Sequence, residues 1–126
     1  MTTLLALDIG GTKVGWGIVE AGDTYEVTER GSIPTDAMRG GADVAARICE
    51  LASSLVASHP SVSGVAVASA GVVNPATGDI VSATGTMPGW GGTRLGSLLE
   101  AATGLRVRVL NDVHAHGLGE ATLGAG

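Results

Sequence analysis

The sequence predicts an α/β domain with a mixed sheet that is opened by three consecutive strands and has helices packed on it. Three observations predict this fold class. Three strand-like segments come first along the chain. Helical segments then alternate with apolar strands, the order that produces parallel crossovers within one sheet. The chain has 126 residues, 44% of them hydrophobic, which is enough for one domain with a buried core.

The three opening strands are predicted at Leu4–Ile9, Val14–Val19 and Tyr25–Ile33. Leu4–Ile9 is too apolar for a half-exposed strand, and Asp8 is its only charge, so we expect it at the centre of the sheet. The third strand is the most polar of the three and is expected at an edge.

Two helices are predicted in the middle of the chain. Over Asp43–Ser58 the apolar residues recur at the spacing of one helix face, and His59 and Pro60 end the pattern. This helix should pack on the sheet. A second helix is predicted over Arg94–Thr103 and is ended by Gly104.

The remaining strands are predicted at Val62–Ala68, Val107–Leu110 and, as a short one, Asp79–Ser82. Asn111 suits the N-cap position of a third helix that runs towards Gly124. The chain has no Phe, one Tyr and two Trp, so the core must consist of Val, Leu, Ile and Ala.

Charge and cysteine content disfavour several classes of protein. Seven basic and twelve acidic residues give a net charge of −5, which opposes the counterion release that drives nucleic-acid binding. The single cysteine, Cys49, is expected to be a small buried hydrophobe of the first helix. No signal peptide precedes Leu4, and the longest apolar run, Val65–Val73, is too short to span a bilayer. We therefore expect a cytoplasmic protein with no nucleic-acid or membrane partner.

A glycine turn joins the first two strands. Gly10 and Gly11 permit positive φ and carry no side chains, so backbone N–H groups can approach an anion there. Thr12 and Lys13 add a hydroxyl and a cation, and Asp8 would face the metal ion that accompanies phosphates. The alternative is a simple hairpin with an acidic residue near its turn. The glycine spacing matches neither a Walker loop nor a Rossmann fingerprint.

A second group of polar residues follows the last strand. Asn111 and Asp112 come at its carboxyl end, where open α/β sheets bind their ligands. If Asn111 caps a helix, the helix dipole keeps Asp112 ionised, and the carboxylate can accept a proton from a hydroxyl. The alternative is that both residues only cap the helix. His114 and His116 would point to nearly opposite sides of that helix, which disfavours a shared metal ion.

Two loops between these groups are rich in small residues. Residues 68–79 leave a buried strand and enter a turn whose small side chains let a ligand approach the backbone. Trp90 lies in a glycine-rich loop, and we expect it to pin that loop to the core. The alternative is that Trp90 forms a surface anchor or one wall of a small-molecule cleft.

Together these segments resemble the amino-terminal lobe of the ROK family, within the actin and hexokinase superfamily, over nearly all of the chain. Four motifs carry the resemblance: a first phosphate motif at 8–13, a glycine turn before the sugar at 70–74, a Pro-Gly-Trp loop at 87–90, and the segment of the catalytic aspartate at 110–113 with 119–120 and 124–126. The resemblance implies an actin-like, ribonuclease H-like ATPase domain. Residues 1–126 would be a single domain, the first lobe of a two-lobe sugar kinase.

The resemblance also implies roles on the sugar side of the site. Asp112 would be the base that takes the proton from a hexose 6-hydroxyl, Asn111 would hydrogen-bond a neighbouring sugar hydroxyl, and Gly71 would lie against the sugar ring. In the family kinases, residues other than Thr86 and Asn74 are common at those two positions. Glucose, N-acetylglucosamine, N-acetylmannosamine and allose therefore stay open as substrates.

On the nucleotide side, the resemblance implies ATP and Mg²⁺ as cofactors. Gly10, Gly11, Thr12 and Lys13 would face the ATP phosphates, with Asp8 towards magnesium. The family's second phosphate motif and its structural zinc motif belong to a second lobe that these residues do not include. We therefore expect the 126-residue chain alone to have little or no kinase activity.

Three classes of function remain open. The first is an ATP-dependent hexose kinase, with glucose as the leading substrate. The second is the sugar-sensing lobe of a ROK-type transcriptional regulator, which is disfavoured because such regulators carry a helix-turn-helix ahead of this lobe and the phosphate strand here begins at Leu4. The third is an interaction module, for example a homodimer formed through the exposed face of the lobe.

Overall fold

A five-stranded mixed sheet organises the chain, which a computed structural model describes at residues 2–69, 72–74, 76–82 and 89–111. The described residues also contain two α-helices and a separate two-stranded sheet. The elements in chain order are β1 (Thr2–Ile9), β2 (Lys13–Ala21), β3 (Tyr25–Pro34), α1 (Gly41–Ser58), β4 (Val62–Ser69), β5 (Val72–Asn74), β6 (Asp79–Ser82), α2 (Leu95–Thr103) and β7 (Arg106–Asn111).

The strand order of the main sheet is β3-β2-β1-β4-β7. Strand β1 pairs antiparallel with β2 and parallel with β4, and β4 pairs parallel with β7. The predicted central position of β1 and edge position of β3 are therefore confirmed. Because β1, β4 and β7 run in the same direction, their carboxyl ends meet at one edge of the sheet.

Helices α1 and α2 pack on one face of this sheet. Side chains of β1 that point to that face, Leu5, Leu7 and Ile9, are buried in a cluster with residues of both helices. On the other face Leu4 and Ala6 are only half-buried. The expectation that β1 is too apolar to be half-exposed is thus wrong for this face. The physical reason is that neither described helix covers it.

The core consists mainly of aliphatic residues, as the composition predicts, but the prediction that it contains only Val, Leu, Ile and Ala is wrong, because Trp90 is fully buried in it. Its largest fully buried hydrophobic side chains are Trp90, Leu5, Ile9, Ile48, Ile80, Leu95, Leu99, Val14, Val44 and Val109.

Both described helices form where they are predicted. Helix α1 begins two residues before the predicted start, after a 3₁₀ turn at Ala37–Arg39, and ends at Ser58 as predicted. Helix α2 ends at Thr103, and Gly104 follows it with a φ of 71° in the left-handed region. The N–H of Gly104 donates to the carbonyl oxygen of Glu100 at 2.8 Å, which caps the last turn.

The structure corrects the prediction of a turn after β4, and the prediction of a third helix lies outside the described residues. The turn expected within residues 68–79 is wrong in part, because Val72–Asn74 forms β5 and pairs with β6 apart from the main sheet. Strand β7 ends at Asn111, and the third predicted helix lies outside the described residues. No helix of the described ranges is long and apolar enough to cross a membrane.

Candidate functional site

The two groups of residues singled out in the sequence lie at the same edge of the sheet. In the strand register Ile9 of β1 aligns with Ser69 of β4, and Ser69 aligns with Asn111 of β7. Neighbouring strands lie about 4.8 Å apart, so the ends of β1 and β7 are separated by about 10 Å. The glycine turn follows β1 directly at this edge, while Asn111 ends β7.

The glycine turn is a tight hairpin. The N–H of Gly10 donates to the carbonyl oxygen of Lys13 at 3.0 Å, and Gly11, Thr12 and Lys13 are exposed. Among described residues the N–H groups of Gly11 and Thr12 donate to no protein acceptor. Their exposure leaves both amides able to donate to an anion.

The turn does not use the positive φ that glycine permits. Positive φ values occur at other glycines of the described ranges, but Gly10 and Gly11 are not among them. A Cβ placed on Gly10 would lie 3.4 Å from the carbonyl oxygen of Lys13, an ordinary van der Waals distance. The expected conformational role is therefore wrong for both glycines, and what Gly10 provides is the absence of a side chain beside the backbone.

Asp8 lies one residue before the end of β1, on the sheet face that α1 and α2 leave open. Its neighbours across the sheet are Gly15 of β2 and Ala68 of β4. A Cβ placed on Gly15 would lie 4.0 Å from that of Asp8. Because both neighbours are small, the Asp8 side chain is exposed to solvent at the same edge as the turn.

A single exposed carboxylate, that of Asp8, fits a magnesium ion that arrives with a nucleotide better than a metal ion held by the protein alone. Mg²⁺ is usually held by one or two carboxylates together with substrate phosphates and waters. Asp8 would supply one such carboxylate. Within the described ranges no three His, Cys, Asp or Glu side chains come together as a metal site.

A buried threonine supports the turn and was missed in the sequence analysis. Oγ1 of Thr35 donates to the carbonyl oxygen of Gly10 at 2.7 Å, and Arg47 of α1 donates to the carbonyl oxygen of Thr35. The only signal in the sequence is Arg47 itself, a cation beside the apolar stripe of α1 with Asp43 one helical turn before it.

Trp90 is fully buried, so the predicted pinning of its loop to the core is confirmed. Its indole Nε1 donates to Oγ of Ser69 at 3.1 Å. Cys49 is half-buried and packs against the core, close to its predicted role. Burial raises the pKa of the Cys49 thiol, which disfavours the reactive thiolate.

Several predicted site residues lie outside the described residues: Gly71, Thr86, Asp112, His114 and His116. For Asn111 the structure gives the backbone register alone. The described geometry therefore brings together Asp8, the glycine turn and the end of β7, and it does not test the role of Asp112.

Comparisons with known proteins agree with this fold. The family profile described as "ROK family" matches residues 4–126. A beta-glucoside kinase of Listeria monocytogenes is 33% identical over 123 residues, covering 98% of this chain and 39% of that protein. The crystal structure of a ROK family glucokinase from Streptomyces griseus, in complex with glucose and AMPPNP, superposes with a TM-score of 0.80 at 27% identity. The match covers 98% of this chain and 38% of the glucokinase chain.

A regulator shares the same fold. The crystal structure of a ROK family transcriptional regulator, a homologue of the E. coli MLC protein, superposes with a TM-score of 0.76 at 25% identity. The match covers 94% of this chain and 30% of the regulator chain. The chain spans about two fifths of the length of the curated relatives it matches. The predicted fold class, a mixed α/β domain of the actin-like ATPase type, is confirmed by the sugar kinase neighbours.

Proposed function

The chain belongs to the ROK family, and from that membership we propose that it is the amino-terminal lobe of a glucokinase-like enzyme, which transfers phosphate from ATP to the 6-hydroxyl of a hexose. Residues 1–126 form one domain in this proposal, and a second lobe completes the enzyme. The kinase neighbours and the beta-glucoside kinase relatives support sugar phosphorylation in general. The hexose and its 6-hydroxyl are the finer part of the proposal.

One observation carries the proposal: the register row of Ile9, Ser69 and Asn111. The phosphate-binding turn starts one residue after Ile9, and Asp112 follows Asn111 in the chain. A separation of about 10 Å between the ends of β1 and β7 leaves room for a phosphoryl group and a sugar hydroxymethyl group between them. Phosphoryl transfer depends mainly on such positioning and on charge neutralisation.

The exposed turn would bind the phosphates of ATP. The amides of Gly11 and Thr12, which have no described protein acceptor, would donate to phosphate oxygens. The Thr12 hydroxyl would add a donor. The exposed Lys13 ammonium, which makes no ion pair with a described residue, would add a positive charge. Gly10 would leave room for the phosphate to approach the backbone.

Asp8 would face the magnesium ion of the nucleotide, since its exposed carboxylate lies beside the turn. Bound Mg²⁺ neutralises charge on the β- and γ-phosphates. On the sugar side Asp112 would accept the proton of the 6-hydroxyl, Asn111 would hydrogen-bond a neighbouring hydroxyl, and Gly71 would lie against the ring. A carboxylate of low pKa suffices as the base if it accepts the proton late in the transfer.

The test uses the full-length protein that contains this chain. ADP release is measured with ATP and Mg²⁺ against glucose, allose, N-acetylglucosamine, N-acetylmannosamine and a β-glucoside. We expect turnover on at least one of these sugars and a loss of about 10²–10⁴ in kcat for Asp112→Asn. Asp79→Asn, which changes a half-buried carboxylate of β6, is the matched control and should retain activity. Turnover that is unchanged in Asp112→Asn would contradict the assigned base.

A sugar-sensing lobe of a transcriptional regulator is the second candidate, because a regulator shares the fold at a TM-score of 0.76. The same experiment separates the two. Sugar binding in calorimetry without turnover on any sugar would favour the sensor. Since ATP is an intracellular substrate, the kinase proposal includes a cytoplasmic location.

A further inference from the structure

Thr35, the residue after β3, holds the glycine turn at two points. Its side chain is fully buried. Oγ1 donates to the carbonyl oxygen of Gly10 at 2.7 Å, and the backbone N–H of Thr35 donates to the carbonyl oxygen of Thr12 at 3.0 Å. A single residue therefore fixes two of the peptide groups that make up the turn.

Arg47 of α1 holds Thr35 in turn. Its guanidinium donates to the carbonyl oxygen of Pro34 at 3.0 Å and to the carbonyl oxygen of Thr35. The Asp43 carboxylate accepts from Nε of Arg47 at 2.8 Å, which orients the guanidinium from one helical turn away. Charge-assisted hydrogen bonds of this kind are stronger than neutral ones. The turn is thus connected to α1 through Thr35 and Arg47.

The Thr35 hydroxyl also sets the direction of an amide that it does not touch. The carbonyl of Gly10 and the N–H of Gly11 belong to one planar peptide group, and the described chain has no cis peptide bond. In a trans peptide the C=O and the following N–H point in opposite directions. Because the Gly10 carbonyl is directed at Thr35, the Gly11 N–H points away from Thr35.

We propose that Thr35 is a positioning residue for nucleotide binding, which holds the Gly10–Gly11 peptide so that the Gly11 N–H donates to a phosphate of ATP, with Arg47 holding Thr35 in place. This inference rests on the proposed function, since it assumes that the turn binds phosphate. Without the hydroxyl, the peptide group can rotate and direct its carbonyl dipole at the anion. Losing the hydroxyl should weaken nucleotide binding and not sugar binding, because the proposed sugar contacts lie at Asn111, at the other end of the register row Ile9–Ser69–Asn111.

The test compares Thr35→Val with Thr35→Ser in the full-length protein. Valine keeps the branched shape and removes the hydroxyl, whereas serine keeps the hydroxyl. We expect Thr35→Val to raise the KM for ATP and weaken ADP binding in calorimetry by about tenfold, with the KM for the sugar within about twofold of wild type. Thr35→Ser should restore both nucleotide values. Thr28→Val is the matched control, because the Thr28 hydroxyl also donates to a main-chain carbonyl oxygen, in this case that of Ile18 in β2, and lies away from the turn.

Arg47→Met decides the question if Thr35→Val fails to fold. It keeps the aliphatic stem and removes the donors, and we expect the same selective rise in the KM for ATP. Arg39→Met, which removes an exposed arginine 3.8 Å from the same Asp43 carboxylate, should change neither KM.

The outcomes separate this inference from the proposed function. Wild-type protein that neither turns over nor binds ADP would overturn both. Wild-type nucleotide binding that is unchanged in folded Thr35→Val, or in Arg47→Met, would overturn the positioning role and leave the kinase proposal standing. Equal losses for ATP and sugar would show a purely structural role and would also overturn it.

Discussion

The indole Nε1 of Trp90 donates a hydrogen bond of 3.1 Å to Oγ of Ser69, and neither side chain is exposed to solvent. Ser69 is the last residue of β4 and stands in the register row between Ile9 and Asn111. The loop that carries Trp90 is therefore fastened to the middle of the sheet edge that bears the candidate site. The turn after β1 and the end of β7 lie on either side of this contact.

We predict that this contact contributes to stability. Ser69→Ala removes the acceptor and should lower the free energy of unfolding by about 1 kcal/mol. Trp90→Phe removes the donor and some ring volume and should cost more, about 1–3 kcal/mol. In urea unfolding, the double variant should lose less than the sum of the single losses, because both remove the same bond. Ser97→Ala, on the exposed face of α2, is the control. Strict additivity would show that the bond contributes nothing.

A second prediction concerns pH, through His59 at the end of α1. Its Nε2 lies 2.6 Å from Oε2 of Glu29 on β3, and its Nδ1 lies 2.8 Å from the carbonyl oxygen of Leu55. The hydrogen bond to Glu29, followed by that to the Leu55 carbonyl, raises the pKa of His59 above its usual value of 6.5. Both ring nitrogens face acceptors, so the protonated ring satisfies both contacts.

The sign of the pH effect follows from this raised pKa. Because the pKa is higher in the folded than in the unfolded protein, the stabilising contribution is fully present below about pH 6.5 and is lost as the pH rises through the folded value. NMR titration of His59 should therefore give a pKa above that of the unfolded chain. Glu29→Gln should lower it, while Glu26→Gln, on the same exposed strand, should leave it unchanged. An equal pKa in wild type and Glu29→Gln would contradict the assignment.

A third prediction contrasts two glycines. A Cβ on Gly41 would overlap the carbonyl oxygen of Gly89, so Gly41→Ala must displace the loop that leads to Trp90. We expect it to destabilise the fold by about 1–3 kcal/mol although alanine favours helix. Gly10→Ala meets only an ordinary contact at 3.4 Å and should leave stability within about 1 kcal/mol of wild type.

The functional effect of Gly10→Ala should be larger than its effect on stability. The added methyl group would occupy room that the proposal reserves for a phosphate, so the KM for ATP should rise in the full-length protein. Thermal unfolding and steady-state kinetics on the same samples check both halves of the prediction. A stable Gly10→Ala variant with an unchanged KM for ATP would mean that the glycine serves only the hairpin.

A fourth prediction concerns the 126-residue chain by itself. In the proposal this chain supplies the first phosphate turn and the assigned base, while a second lobe supplies other phosphate and sugar contacts. We expect no ADP release above that of an Asp112→Ala control in a coupled assay with ATP, Mg²⁺ and glucose. Turnover above that control would show that one lobe forms a working site.

The strands and helices were predictable because local patterns determine them. The apolar run of β1, the polar character of β3 and the spacing of apolar residues in α1 each placed an element within a few residues of where it lies. The left-handed Gly104 at the end of α2 was predictable for the same reason, since the residue that caps a helix is adjacent to it in sequence.

What sequence reasoning missed depends on contacts between distant residues. Nothing near Thr35 shows that its hydroxyl reaches Gly10, which lies 25 residues earlier in the chain. The pairing of Val72–Asn74 with β6 was missed because three residues are too few to show strand periodicity. Side chains on one face of β1 are half-buried because the described helices cover the other face, and hydropathy alone does not reveal which face a helix will cover.

The most direct test of the central claim is to identify the product by phosphorus and carbon NMR after the full-length protein has acted on ATP and the sugar that supports turnover. The proposal predicts a single sugar phosphate with phosphorus on the 6-oxygen, and no such product from Asp112→Asn. Phosphate on another oxygen, inorganic phosphate without a sugar ester, or the same product from Asp112→Asn would contradict it.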